Sequence, residues 1–148
     1  MARTPRAAAT QARHRARMFL LQALYQWQLS GDDPREILIQ FVDGREMGSA
    51  DVDYFRELMR AIPDHVEEID RVIEPLLQRS LPMVDPVERA ILRIACHELQ
   101  ERWDVPARVV IDEAVELAKR FGAEQGHRFV NGVVDKLAHQ IRVHEMDG

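Results

Sequence analysis

Five arginines, Arg3, Arg6, Arg13, Arg15 and Arg17, stand within the first 31 residues, and no aspartate or glutamate accompanies them. The chain as a whole is acidic, with 20 Lys and Arg against 25 Asp and Glu. A basic end of about +5 therefore precedes a body of about −10. Charge segregated in this way points to a polyanion partner at the N-terminus rather than to general stickiness. Arg3 and Arg6 alone read equally well as a solubilising tail. Arg13, Arg15 and Arg17 run straight into an amphipathic segment, and a cluster fixed on a folded element can recognise something.

Other reactive side chains assemble into nothing comparable. Cys96 and His97 are adjacent, but neighbours on a helix point about 100° apart and do not form a nucleophile–base pair by default. The six histidines include no i, i+4 pair backed by a second ligand cluster, and His139 and His144 are five apart. Asp112 and Glu116 share a helical face that reads as solvated. No strand precedes a glycine-rich phosphate loop. The sequence thus assigns no catalytic residue, no metal ligand and no cofactor, and the expectation is a protein that is not an enzyme.

At 148 residues, 46% hydrophobic and 30% charged, the chain has enough apolar material to fold without metal or disulfide. A single cysteine fits a reducing compartment. The N-terminus is too polar for a signal peptide, and no run approaches the ~18 apolar residues of a membrane span. The expected address is the cytoplasm, with no membrane partner.

The elements that hold these residues read as helices nearly throughout. The predicted class is all-α, with about seven helices in two small helical-bundle subdomains. Helices are expected near 10–30, 34–46, 50–62, 64–80, 86–103, 107–121 and 125–142. Thr10 offers an N-cap for the first and Gly31 a stop. DPRE (Asp33 to Glu36) and DPVE (Asp85 to Glu88) each supply an Asp cap, a Pro at the first helical position and a Glu three residues on. Pro75 is expected to kink the fourth helix. Within a single domain over 1–148, a break at Leu81-Pro82-Met83 divides a basic arm (1–12) and N-terminal subdomain (about 10–80) from a C-terminal subdomain (about 85–142).

Stripes at i, i+3, i+4, i+7 identify the core: Ile111, Ala114, Val115 and Ala118; Val130, Val133, Val134 and Leu137, continued by Ile141; and Val87, Ile91, Ile94, Ala95 and Leu99 after Asp85. The first helix buries Ala16, Phe19, Leu20, Ala23, Leu24 and Trp27 on one face. Its other face carries Met18, Leu21 and Tyr25 beside Arg15 and Gln22, which suits a partner surface. Phe129 lies about 90° off the Leu137 stripe, next to Arg128 and on the side of Lys136, as a stacking or cation–π ring would.

The strings QALYQWQLS (Gln22 to Ser30), VERAILRIACHEL (Val87 to Leu99), DVPARVVIDEAVELAKRFG (Asp104 to Gly122) and HRFVNGVVDK (His127 to Lys136) resemble, in one order along nearly the whole chain, the NusB family of bacterial transcription antitermination factors. The resemblance implies an all-helical fold of two subdomains. It also implies a complex with the ribosomal protein NusE that binds single-stranded boxA RNA and joins RNA polymerase to suppress premature termination, notably of ribosomal RNA transcripts.

By the same resemblance, Arg13, Arg15 and Arg17 match the arginine-rich RNA-binding start, interrupted by His14. Tyr25 and Phe129 match aromatic positions near the RNA path. Glu88 matches an RNA-surface position where a carboxylate accepts from base edges, against its capping role. Gln22 and Arg128 join that surface, and Gln125 stands where relatives often have an acid. Two other readings remain open: an RNA-binding substrate module of an RNA cytosine methyltransferase, and an adaptor whose basic helix meets an acidic protein. The sequence leaves open a monomer or a homodimer closed over Met18, Leu21 and Tyr25.

Overall fold

The computed structural model describes residues 4–44 and 47–147; Arg3 lies outside them. The described residues form eight α-helices and two short 3-10 turns, with no strand. They are α1 (Pro5–Ser30), α2 (Pro34–Gly44), α3 (Val52–Asp64), α4 (Val66–Ile73), α5 (Pro86–Glu101), α6 (Ala107–Phe121), α7 (Gly126–Ile141) and α8 (Val143–Asp147). None is long and apolar enough to cross a membrane.

The chain divides into two compact units, Met1–Asp64 and His65–Gly148. The division falls ahead of the expected break at Leu81–Met83, because α4 packs on α5. Its Asp70 carboxylate receives Arg93 of α5 in a two-pronged ion pair at 2.9 and 3.0 Å.

In the first unit α1, α2 and α3 pack on one another. Leu20, Leu24, Ile37, Phe41, Phe55, Leu58 and Ile62 form its core, with the Phe41 and Phe55 rings 5.8 Å apart. Helix α1 begins five residues before the expected start. Pro5 occupies a first-turn position that needs no N–H, and Thr4 caps it by accepting from Ala7 N at 3.1 Å. Thr10 is mid-helix and donates to Arg6 O instead. Gly31 ends the helix at φ 73°, the left-handed turn glycine enters most cheaply.

In the second unit α5 packs on α4, α6 and α7. Val130, Val133, Val134 and Leu137 are buried as the periodicity requires, as are Ile91, Ile94, Ala95 and Leu99. On α6 the buried stripe is Val110, Ile111, Ala114, Leu117 and Ala118; Val115 is half-buried. The fourth helix ends at Ile73, short of 80. Pro75 lacks the N–H that would continue it, and the chain passes into a 3-10 turn, Glu74–Leu76. Asp85 caps α5, accepting from Val87 N at 2.9 Å and Glu88 N at 3.4 Å.

Arg142, 2% exposed, fastens the end of α5. Its guanidinium donates to the carbonyls of Glu98, Leu99, Arg102 and Val105 at 2.8–3.2 Å, and to Glu145 of α8 at 2.8 Å. Glu98 O and Arg102 O also accept the N–H groups of Arg102 and Val105. The guanidinium adds a donor to these and serves the helix-end Leu99 O and the loop Val105 O at the same time.

Candidate nucleic-acid interface

The helical phase of α1 sorts its arginines. Ala16, Arg17, Leu20, Leu21, Ala23 and Leu24 are buried and span about 160° of the helix circumference at about 100° per residue. Arg15, Met18, Gln22, Tyr25 and Leu29 fall within about 80° on the other side. Tyr25 is 39% exposed and Leu29 58%. Arg15 is exposed and donates to Ser49 Oγ, while Met18 and Gln22 are half-buried. The expected cation, amide and ring therefore do share one accessible strip.

Arg17 does not join them. It is 2% exposed, and its guanidinium lies 5.6 Å from the centroid of the Tyr54 ring. Its phase sets it inside the buried arc, where the ring face replaces part of the lost water. Leu21 is likewise 2% exposed and no part of an open partner surface. Its 140° offset from Ala16 still lies within that wide arc. Arg13 is intermediate: it covers the same Tyr54 ring at 4.2 Å and sits 3.8 Å from Asp51, with a third of its side chain exposed.

The second unit brings together Glu88 and Phe129, and adds a residue that sequence reasoning passed over. Glu88 is 4% exposed and accepts from the backbone N–H of Ala123. Its carboxylate lies against the first residue of α7, where a Cβ on Gly126 would come within 2.8 Å of Oε2. As placed, it is a strut from α5 to the start of α7 rather than an open acceptor for base edges. Burial first, and Asp85 second, push its carboxyl above the ordinary range. One turn on, the half-buried Phe129 ring carries the exposed Arg79 guanidinium 5.1 Å from its centroid. Arg79 lies in an irregular segment, where no periodicity marks it. Arg128 is exposed on α7. Gln125, just before α7, holds φ 69°, a left-handed conformation uncommon for a side chain of this kind.

Among the described residues no group of three or more His, Cys, Asp or Glu could hold a metal. Cys96 is buried, and desolvation, with Asp70 adding to it, pushes its thiol up to about 12. A thiol so perturbed is no thiolate nucleophile at neutral pH.

One unit carries a cation, an amide and an exposed ring along a strip of α1, and the other an arginine over a half-buried ring. These are the side-chain types with which the nucleic-acid-binding class of helical protein meets phosphates and base faces. The model of the NusB family matches residues 14–139, and the chain belongs to that family. It is 48% identical over 131 residues to the transcription antitermination protein NusB of Idiomarina loihiensis, covering 88% of this chain and 94% of the relative. The protein of the same name from Sodalis glossinidius is 50% identical over the same extent. Among solved structures, T. maritima NusB superposes with a TM-score of 0.81 at 31% identity, covering 99% of this chain and 100% of that one. A structure of antitermination factors NusB and NusE in complex with dsRNA contains a chain matching at 0.76 and 31% identity, over 88% and 98%.

Proposed function

We infer that this protein is a transcription antitermination factor that binds boxA RNA of nascent transcripts jointly with the ribosomal protein NusE and acts on RNA polymerase in the cytoplasm. The observation that carries the reading is the strip of α1 on which Arg15, Gln22 and Tyr25 stand together, in a chain of the NusB family. Arginine attracts and positions phosphate, the ring stacks a splayed base, and the amide reads an edge. Arg13 adds a second, partly occupied cation in the same unit. In the other unit Phe129 supplies a stacking face and Arg128 a cation, while Glu88 acts by fixing the turn from which Phe129 projects.

On the α1 strip itself Arg15 is the exposed cation and Arg13 a partly covered one, so the protein alone binds RNA weakly, and a basic partner completes the electrostatic surface. The reading requires no bond to be made or broken. Relatives named for antitermination match over 94% of their own length, which favours this function over a methyltransferase substrate module.

The test is a binding titration of purified protein, with and without NusE, against three RNAs: a boxA single strand, a scrambled strand and a duplex. Tight binding of the boxA strand only when both proteins are present is expected. Equal affinity for all three would reduce the role to charge attraction. Binding of NusE or of an acidic protein with no RNA affinity would support the adaptor instead.

A further inference from the structure

We propose that Arg79 is a further RNA-contacting residue of the second unit, its guanidinium held against the Phe129 ring so that its N–H edge meets the phosphate of a nucleotide bound beside that pair. The inference rests on the RNA-binding reading above and assigns a residue outside the arginine-rich start. Arg79 is exposed, with its guanidinium carbon 5.1 Å from the ring centroid. Among the described residues it makes no salt bridge, and it acts electrostatically on the buried Glu88 carboxylate. That carboxylate is already committed to Ala123 N–H and packed on Gly126.

A guanidinium lying on an aromatic ring spends its apolar face on the ring and keeps its N–H donors at the edge of its own plane. Such an edge fits two phosphate oxygens in parallel, and the plane can itself stack on a base. Phe129 orients Arg79, and Glu88 fixes the turn below Phe129, so cation and ring arrive as one preassembled pair. Preorganisation of this kind lowers the ordering cost of binding a flexible strand. The bland alternative is an arginine that only shields the ring and balances Glu88.

The test measures affinity of the complex with NusE for a boxA single strand across several salt concentrations, comparing the parent with Arg79→Ala, Arg79→Lys, Phe129→Ala and Arg15→Ala. For Arg79→Ala the expected result is a log–log salt slope reduced by roughly 0.7. Affinity should fall roughly tenfold at low salt, as for one charged hydrogen-bonded contact. Arg79→Lys should keep the slope and lose part of the affinity, since it retains charge but not the planar fork. Melting of each variant, measured alongside, identifies any loss of fold, and Arg79→Lys carries the decision if the alanine variant melts early. If Phe129→Ala and Arg15→Ala weaken binding while neither Arg79 variant differs from the parent, the Arg79 assignment is overturned and the RNA reading stands. If none of the four differs from the parent, the RNA reading itself falls.

Discussion

Arg13 lies 4.2 Å above the ring of Tyr54, and Asp51, at the turn preceding that tyrosine, holds the same guanidinium at 3.8 Å. The arrangement ties α1 to the start of α3. Asp51 also donates its N–H to Ala12 O at 2.9 Å and accepts from Tyr54 N at 3.1 Å. Arg17 reaches the same ring from deeper in the unit. Arginines two or four residues apart on one helix thus divide between holding the fold and facing outward.

The division separates the arginines experimentally. Arg17→Ala should destabilise the protein by roughly 1–3 kcal/mol, because a buried cation and its ring contact are lost. Its salt slope for RNA should stay at the parental value. Arg15→Ala should leave the melting midpoint nearly unchanged and lower the slope by roughly 0.7. Denaturant melts and salt titrations on both variants check this, and a reversed pattern would return Arg17 to the interface.

Glu88 makes stability depend on pH in a particular direction. Burial and Asp85 raise its folded pKa, so its contribution is most favourable below the ordinary glutamate value, about 4.3, and is lost as pH rises through the raised value. Glu88→Gln keeps an oxygen for Ala123 N–H and removes the charge. This variant should match or exceed the parent at pH 7 and lack the parent's decline above pH ~4.3. Urea midpoints across that range are the measurement. A neutral-pH midpoint well below the parent's would mean the ionised carboxylate is needed by the fold.

Glu145 runs the opposite way. The Ala107 N–H first, and the Arg142 guanidinium second, hold its carboxyl below the ordinary range. Its stabilising share is present above the ordinary value and is lost as pH falls through the lowered one. Arg142, its partner, matters far more. Arg142→Met strips a donor from four carbonyls and from Glu145, and should cost roughly 3–5 kcal/mol by thermal or denaturant melting. A loss under about 1 kcal/mol would show that water or neighbouring N–H groups replace the guanidinium.

Much of this was legible in the pattern of residues, and what was not has identifiable causes. Caps at Asp85 and Gly31 and the stripe on α7 depend on local chemistry and on period, so they could be read directly. Arg17 and Leu21 could not. Their side of α1 is polar or mixed by type, and only tertiary packing makes the buried arc wide enough to include them. The early start of α1 follows from Ala7, Ala8 and Ala9, strong helix formers that carry the helix back past Thr10 to the Thr4 cap and Pro5. Arg142 carries no local sequence signal, because its four carbonyl partners lie about 40 residues earlier in the chain. Arg79 sits in a segment without period, where spacing carries no information.

The two rings provide the sharpest separation of recognition from packing. Tyr25 is 39% exposed on the α1 strip, and Phe129 is half-buried beneath Arg79. Tyr25→Ala should therefore change stability little, whereas Phe129→Ala should cost some stability. Both should cost less than Leu137→Ala, whose fully buried side chain leaves a cavity worth roughly 2–5 kcal/mol. On RNA, each ring should be worth roughly 1–3 kcal/mol if it stacks a base. The salt slope should hardly move for Tyr25→Ala, since no cation is lost or released. Phe129→Ala frees Arg79 from its ring, so a modest slope change there is expected. Affinity for NusE, measured separately without RNA, keeps a partner contact by Tyr25 from being mistaken for stacking. If Tyr25→Ala binds boxA RNA like the parent while Phe129→Ala fails to fold, both rings are packing elements. Base recognition would then lie with the ribosomal partner.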